Sequence, residues 1–271
     1  MKRSILTLIP LLLGLYSLAP GAEPLIVKLA YVGEPGTSAL AGVRQGLSEA
    51  NVQGRFLGQE YRLEVLPPAA AEQDLSGEGG FAAVIAALPA PALLSLARGN
   101  PDLPVFNITA REDDLRDACL PNLLHVIPSE RMLRDAEAQW RRKHPDSGAR
   151  AHAWDEHFRK YAASQLNKRF REDQGIPMDD EAWAGWAAAR MVADLVARRQ
   201  SADPEGLLAA LRGRIDFDGQ KGVKMNFRPN GQLSQVIFLV ENGRVVGEAP
   251  VRGVAGAAGL ESLGKSECPA S

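Results

Sequence analysis

Between residues 25 and 127 the chain alternates short runs of β-branched and apolar residues with longer stretches of helical period, and no two-residue turn joins one run to the next. Antiparallel neighbours can be linked by such a turn, whereas parallel strands need a crossover of a dozen or more residues, usually a helix. The runs 25–31, 61–66, 81–87, 105–108 and 123–127 therefore predict a five-stranded parallel sheet with helices on both faces, an α/β, doubly wound lobe over residues 23–140. The first crossover is legible in detail. After the turn Gly33-Glu34-Pro35-Gly36, Thr37 or Ser38 can cap a helix in which Leu40, Val43, Leu47 and Ala50 recur at helical spacing.

Beyond Ser129 the pattern changes. Met132, Ala136 and Trp140 mark a helix ending near His144-Pro145, because proline and the residue before it resist helix continuation. Residues 154–171 and 179–199 read as helices, with Ala162, Leu166 and Phe170 on one stripe and Trp183, Ala187, Met191 and Leu195 on another. A further helix opens at Asp203-Pro204-Glu205 and closes at Arg212-Gly213, so residues 141–213 are expected to be helical. Strands at 223–227, 235–241 and 244–248 follow, separated by Pro229-Asn230-Gly231 and Asn242-Gly243, where Asn and Gly tolerate positive φ. They predict an antiparallel element over residues 214–252. The Gly-, Ala- and Ser-rich tail, residues 253–271, is expected to be loosely ordered.

The amino terminus carries an export pattern. Lys2 and Arg3 precede an apolar stretch from Ile5 to Leu18, and the small residues Ala19, Gly21 and Ala22 follow it, so residues 1–22 read as a signal peptide. Cleavage before Glu23 fits best, with cleavage after Ala19 or Gly21 left open. Export implies an oxidising compartment, in which Cys119 and Cys268, the two cysteines of the chain, are expected to form a disulfide; two unpaired thiols remain the alternative. With a net charge of −2 and 24% charged residues, nothing favours a polyanion, and no nucleic-acid partner is expected.

Catalytic and metal chemistry find little support. The four histidines, His125, His144, His152 and His157, form no recognised ligand spacing, and neither cysteine stands near them. There is no Gly-x-Ser-x-Gly elbow and no phosphate-binding Gly-Lys-Ser/Thr loop, and the turn at Gly33 lacks the dinucleotide fingerprint. No cofactor and no enzymatic activity are expected.

Two stretches carry a resemblance: AAVIAALPAPALL (82–94) with VFNITAREDDLRDACLPNLLHVIPS (105–129), and IDFDGQKGVKMNFRPNGQLSQVIFLVENGRVV (215–246). They resemble type I periplasmic solute-binding proteins of the leucine/isoleucine/valine-binding family, which serve ABC importers. The segments DEHFRKYAASQLNKRFRED (155–173) and DDEAWAGWAAARMVADLV (179–196) look more narrowly like the branch associated with pyrroloquinoline-quinone-dependent alcohol oxidation. In the family a complete second α/β lobe follows the first. Here residues 141–150 lead straight into the late helices, so most of that lobe is expected to be missing.

The resemblance implies a periplasmic protein that binds a small organic solute and delivers it to the membrane permease of an ABC transporter. It implies a site at the carboxy ends of the third and fourth strands, at Leu88, Pro89 and Ala90 and at Asn107, Thr109, Ala110 and Arg111. Family members that hold free amino acids present hydroxyls and amides in the first loop. Here Ala-Leu-Pro-Ala-Pro replaces them, and each proline removes an N–H donor. Arg111 is a candidate for bidentate recognition of a carboxylate, against the commoner fate of pairing with Glu112 or Asp113. The alternative to transport is a degenerate or structural exported protein that no longer closes on a solute.

Overall fold

In the computed structural model, which describes residues 23–77 and 80–268, the period-two alternation of the first strands divides their side chains between two cores. The strands β1 (Leu25–Gly33), β2 (Gln59–Leu66), β3 (Ala83–Ala87), β4 (Val105–Asn107) and β5 (Leu123–His125) form a parallel sheet in the order β2-β1-β3-β4-β5. Leu29, Tyr31, Ile85 and Phe106 face one way, into the larger core. Ala30, Val32, Val84 and Val105 face the other, towards α2 (Ala90–Gly99) and a short 3-10 turn at Pro68–Glu72. The expected signal peptide, residues 1–22, lies outside the described residues.

The larger core is closed by α1 (Ser38–Leu57) and by α6 (Asp180–Arg199), a helix from the far half of the chain. Thr37 caps α1 by accepting from the Leu40 amide at 3.2 Å, and Asp179 caps α6 by accepting from the Ala182 amide at 2.8 Å. The two helices approach along small residues. A Cβ on Gly42 would run into the Ala182 carbonyl, one on Gly185 into the Ala39 carbonyl, and one on Gly46 would lie 2.8 Å from the Ala189 methyl. Together with α3 (Asp113–Asp117), α5 (Ala163–Gln174) and α7 (Pro204–Arg212), these helices complete the first lobe.

A second, smaller core forms where α4 (Glu130–Lys143) lies on an antiparallel sheet of β6 (Arg150–His152), β7 (Ile237–Glu241) and β8 (Arg244–Ala249), in the order β6-β7-β8. Met132, Ala136, Ala151, Ile237, Leu239 and Leu263 fill it. The Asn242-Gly243 turn of the β7–β8 hairpin has φ of 50° and 69°, the left-handed pair that matches strand twist.

Four expectations need correction. The third strand of the antiparallel sheet is β6, drawn from the segment expected to be helical, and not 223–227, which makes only isolated bridges between Phe217 and Met225 and between Phe227 and Leu233. The helix expected over 154–171 begins only at Ala163, because Tyr161 and Ala162 hold φ of 52° and 67°. Asn167 fastens the irregular stretch before it, donating to the carbonyls of Glu156 and Phe158 and accepting from Trp154 Nε1 at 2.8 Å. Arg111 pairs with neither Glu112 nor Asp113 but with Asp180, 69 residues along the chain. The described part of the tail, expected to be loose apart from Cys268, is tied at 260–265, where the buried Arg228 guanidinium donates to the carbonyls of Leu260, Leu263 and Lys265; the expected disulfide joins Cys268 to Cys119.

Candidate solute-binding crevice

The strand order reverses between β1 and β3, so the chain leaves the carboxy ends of these neighbours towards opposite faces of the sheet and a crevice opens between the two loops. A hollow of about 370 Å³ lies there, lined by Glu34, Thr37 and Ala39 after β1, Ala87, Leu88 and Pro89 after β3, Thr109, Ala110 and Glu112 after β4, and Glu181 from the first turn of α6. Tyr31 holds the first loop, its hydroxyl 3.0 Å from Thr37 Oγ1. Asn107 holds the third: fully buried, its Oδ1 accepts from the amides of Thr109 and Ala110, and its Nδ2 donates to the Ala110 carbonyl at 2.7 Å and lies 3.0 Å from His125 Nδ1. Burial holds His125 well below the ordinary histidine pKa, so the ring is neutral and fits an amide partner.

A second hollow of about 390 Å³ adjoins the first and shares Glu181 with it. Its wall combines Arg111, His152 of β6, Trp154 and the start of α6. Arg111 Nη2 donates to Asp180 Oδ2 at 2.8 Å, the Trp154 amide donates to Asp180 Oδ1 at 2.8 Å, and His152 Nδ1 lies 3.8 Å from the same carboxylate. Despite its burial, Asp180 is held below the usual carboxylate range by these partners, and its carboxylate in turn raises the pKa of His152.

The residues expected at the site separate into three groups. Leu88, Pro89, Thr109 and Ala110 line the first hollow. Ala90 opens α2 beside it; with Pro89 in the cap position and Pro91 in the first turn, that turn can offer only the amides of Ala90 and Ala92. Asn107 lies beneath the wall with its amide group committed to the loop, and Arg111 lines the second hollow with Nη2 on Asp180 and Nη1 buried without a hydrogen-bond partner among the described residues. Glu34, Thr37, Glu112 and Glu181 were missed. The first two follow from the strand order, since the loop after β1 borders the crevice as much as the loop after β3; Glu181 has no local signal.

Two larger hollows lie elsewhere, about 970 Å³ between α1, α6 and residues 216–224, and about 700 Å³ beside the β7–β8 hairpin. Neither stands at the carboxy end of the parallel sheet. Around the larger one the pairs Arg169–Glu49, Arg190–Asp194 and Lys224–Asp216 form, which leaves Asp218 over. In the crevice, among the described residues, no hydrogen bond or ion pair reaches the side chains of Glu34, Glu112 or Glu181, although the Arg111 charge opposes Glu181.

No protein-family model matches the chain, and no curated protein matches it in sequence. Solved structures do match in fold. A branched-chain amino acid ABC transporter periplasmic ligand-binding protein from Burkholderia xenovorans superposes with a TM-score of 0.69 at 13% identity, over 87% of this chain and 96% of the other. An ABC transporter substrate-binding protein from Desulfitobacterium hafniense, in complex with Leu, gives 0.67 at 14% identity, over 82% and 99%. A solute-binding protein of an ABC transporter from Rhodopseudomonas palustris, in complex with 3,4-dihydroxybenzoic acid, gives 0.66 at 10% identity, over 82% and 94%. At such identities the likeness is one of fold, and the fold is that of the type I periplasmic binding proteins.

Proposed function

We propose that this chain is the solute-binding component of an ABC-type importer, working in the periplasm and handing a small organic solute to a membrane permease, with its second lobe shortened to α4 and the β6–β7–β8 sheet. One observation carries the reading: a hollow of about 370 Å³ lies at the β1/β3 switch point of a sheet that has the fold of known solute-binding proteins. The export pattern of residues 1–22 supports the location, and no described helix is long and apolar enough to cross a membrane. Leu88, Pro89, Thr109 and Ala110 form the floor of the site with Ala90 beside it, Asn107 acts on it by tying its loop, and Arg111 stands in the adjoining hollow on Asp180. The resemblance of 155–173 and 179–196 to the pyrroloquinoline-quinone-associated branch makes short alcohols and their oxidation products the first solutes to try.

The test is calorimetric titration of the mature protein with short alcohols, aldehydes, carboxylates, amines and branched-chain amino acids, repeated on Thr109→Trp, which enlarges a half-buried side chain of the wall. Saturable binding abolished by that substitution supports the reading. Binding that survives it moves the site elsewhere, and no binding to any of the five classes favours an exported protein that has lost closure on a solute.

A further inference from the structure

Arg111 is an under-used donor at the wall of the second hollow. A guanidinium offers five N–H groups. Among the described residues a protein acceptor takes one of them, from Nη2 to Asp180 Oδ2 at 2.8 Å. Nη1 is buried, and it is the one buried side-chain nitrogen or oxygen among the described residues that has no hydrogen-bond partner. Such a donor is costly and rare in a native interior, and the chain itself supplies it no acceptor. Asp180 is fixed in turn by the Trp154 amide at 2.8 Å, so Nη2 is anchored. The side chain is 26% exposed and tied at that one point, which leaves the guanidinium able to turn about Nη2 and present Nη1 to the hollow.

The surrounding charges decide what kind of acceptor fits. On the same wall Asp155 and Glu156 have cations of their own in His157 and Arg171, and Asp179 is occupied in capping α6. Asp180 is shared by Arg111 and by His152 at 3.8 Å, and the Arg111 charge also opposes that of Glu181. The charge of Arg111 is therefore matched although most of its N–H groups are not. An entering carboxylate would lose its hydration without finding a free cation, whereas an uncharged oxygen needs only the idle donor. Trp154, Pro177 and Met178 supply an apolar flank, and the volume of about 390 Å³ suits a solute of a few heavy atoms. We infer that Arg111 is the specificity-determining donor of the crevice, and that its idle guanidinium edge takes the oxygen of a short uncharged solute, an amide, ketone or alcohol, in preference to a carboxylate. This rests on the solute-binding reading above.

The experiment titrates the mature full chain with four probes of matched length, butyramide, 1-butanol, butyrate and butylamine, and repeats the series on Arg111→Lys and on Glu181→Gln, with melting temperatures confirming that both variants fold. Butyramide is expected to bind at least about tenfold more tightly than butyrate, with butanol between them. Arg111→Lys keeps a positive charge for Asp180 but has a single nitrogen, so it should weaken butyramide about tenfold and narrow its lead over butyrate. Glu181→Gln, which leaves Arg111 in place, should leave butyramide unchanged and bring butyrate closer to it. Butyrate or butylamine bound as tightly as butyramide by the native protein, or butyramide affinity unmoved by Arg111→Lys, would overturn the inference and leave the solute-binding reading standing. Loss of butyramide in Glu181→Gln would also overturn it, by moving the recognition to the carboxylate. No binding of any of the four removes the inference, and the wider panel of solutes with Thr109→Trp then decides the solute-binding reading by itself.

Discussion

Lys221 Nζ lies 3.7 Å from the centroid of the Trp183 ring, inside the protein and without a carboxylate in contact. Gln235 Oε1 and the Val236 carbonyl accept from it at 2.8 and 2.9 Å, and the Phe238 ring lies 5.3 Å away. The ring face and two acceptors offset part of the cost of burying an ammonium, but burial still holds its pKa well below the ordinary lysine value.

That depression has a sign. Between the folded pKa of Lys221 and its unfolded value the unfolded chain binds more protons, so stability rises with pH towards the ordinary lysine range and falls as pH drops towards the folded pKa. Lys221→Met removes this dependence. The melting temperature of the native protein minus that of the variant should increase steadily from pH 7 to pH 10, as measured by circular dichroism; a flat difference would mean that Lys221 keeps its charge in the core.

His152 works in the opposite direction. Asp180 raises its pKa, so its contribution is present below the ordinary histidine value and is lost as pH rises through the folded one. The ring is partly exposed, which screens the pair. His152→Gln should lower the melting temperature by about 1–2 °C at pH 5.5 and by less at pH 8.5. Equal effects at both pH values would place the contribution in packing.

The α1–α6 contact should be intolerant of a single methyl group. Gly42→Ala drives a Cβ into the Ala182 backbone, and overpacking of this kind costs about 1–3 kcal/mol, or roughly 5 °C in a chain of this size. Gly99→Ala, with nothing within 4 Å of the added carbon, is the control and should be neutral. Differential scanning calorimetry of the two variants decides the matter.

The Cys119–Cys268 bond closes a loop of 149 residues, and replacing both cysteines by serine should lower stability by about 2–4 kcal/mol. The ties of Arg228 to Leu260, Leu263 and Lys265 do not depend on the disulfide. Limited proteolysis of the double variant should therefore cut between Lys265 and the carboxy terminus before it cuts at 253–263. First cleavage inside 253–263 would show that the disulfide, and not Arg228, organises the tail.

How much of this was legible depended on whether a residue's partners are near it in the chain. β1 and β3 bury both faces, and the helical crossovers between strands left one economical topology, so the five-stranded sheet could be read. β6 is three residues long and pairs Ala151 with Leu239, a contact that no local pattern announces. The same distinction runs through the site. Leu88, Pro89, Thr109 and Ala110 stand at strand ends, where a sequence can place them beside the hollow; Glu181 reaches the crevice because α6 docks on α1 through Gly42 and Gly185, a placement set by backbone proximity across more than a hundred residues. Asp180 reaches Arg111 by the same route, pairing with its Nη2 and not with Nη1.

The docking of α6 on α1 also bears on how the chain is made. The first strands and α1 are complete early in synthesis, yet the core between them stays open on one side until residues 180–199 exist. Leu29, Tyr31, Ile85 and Phe106 are fully enclosed only in the finished molecule. Without residues 180–199 those side chains lie in a core that α1 closes alone, so the packing of the amino-terminal half depends on the far half of the chain.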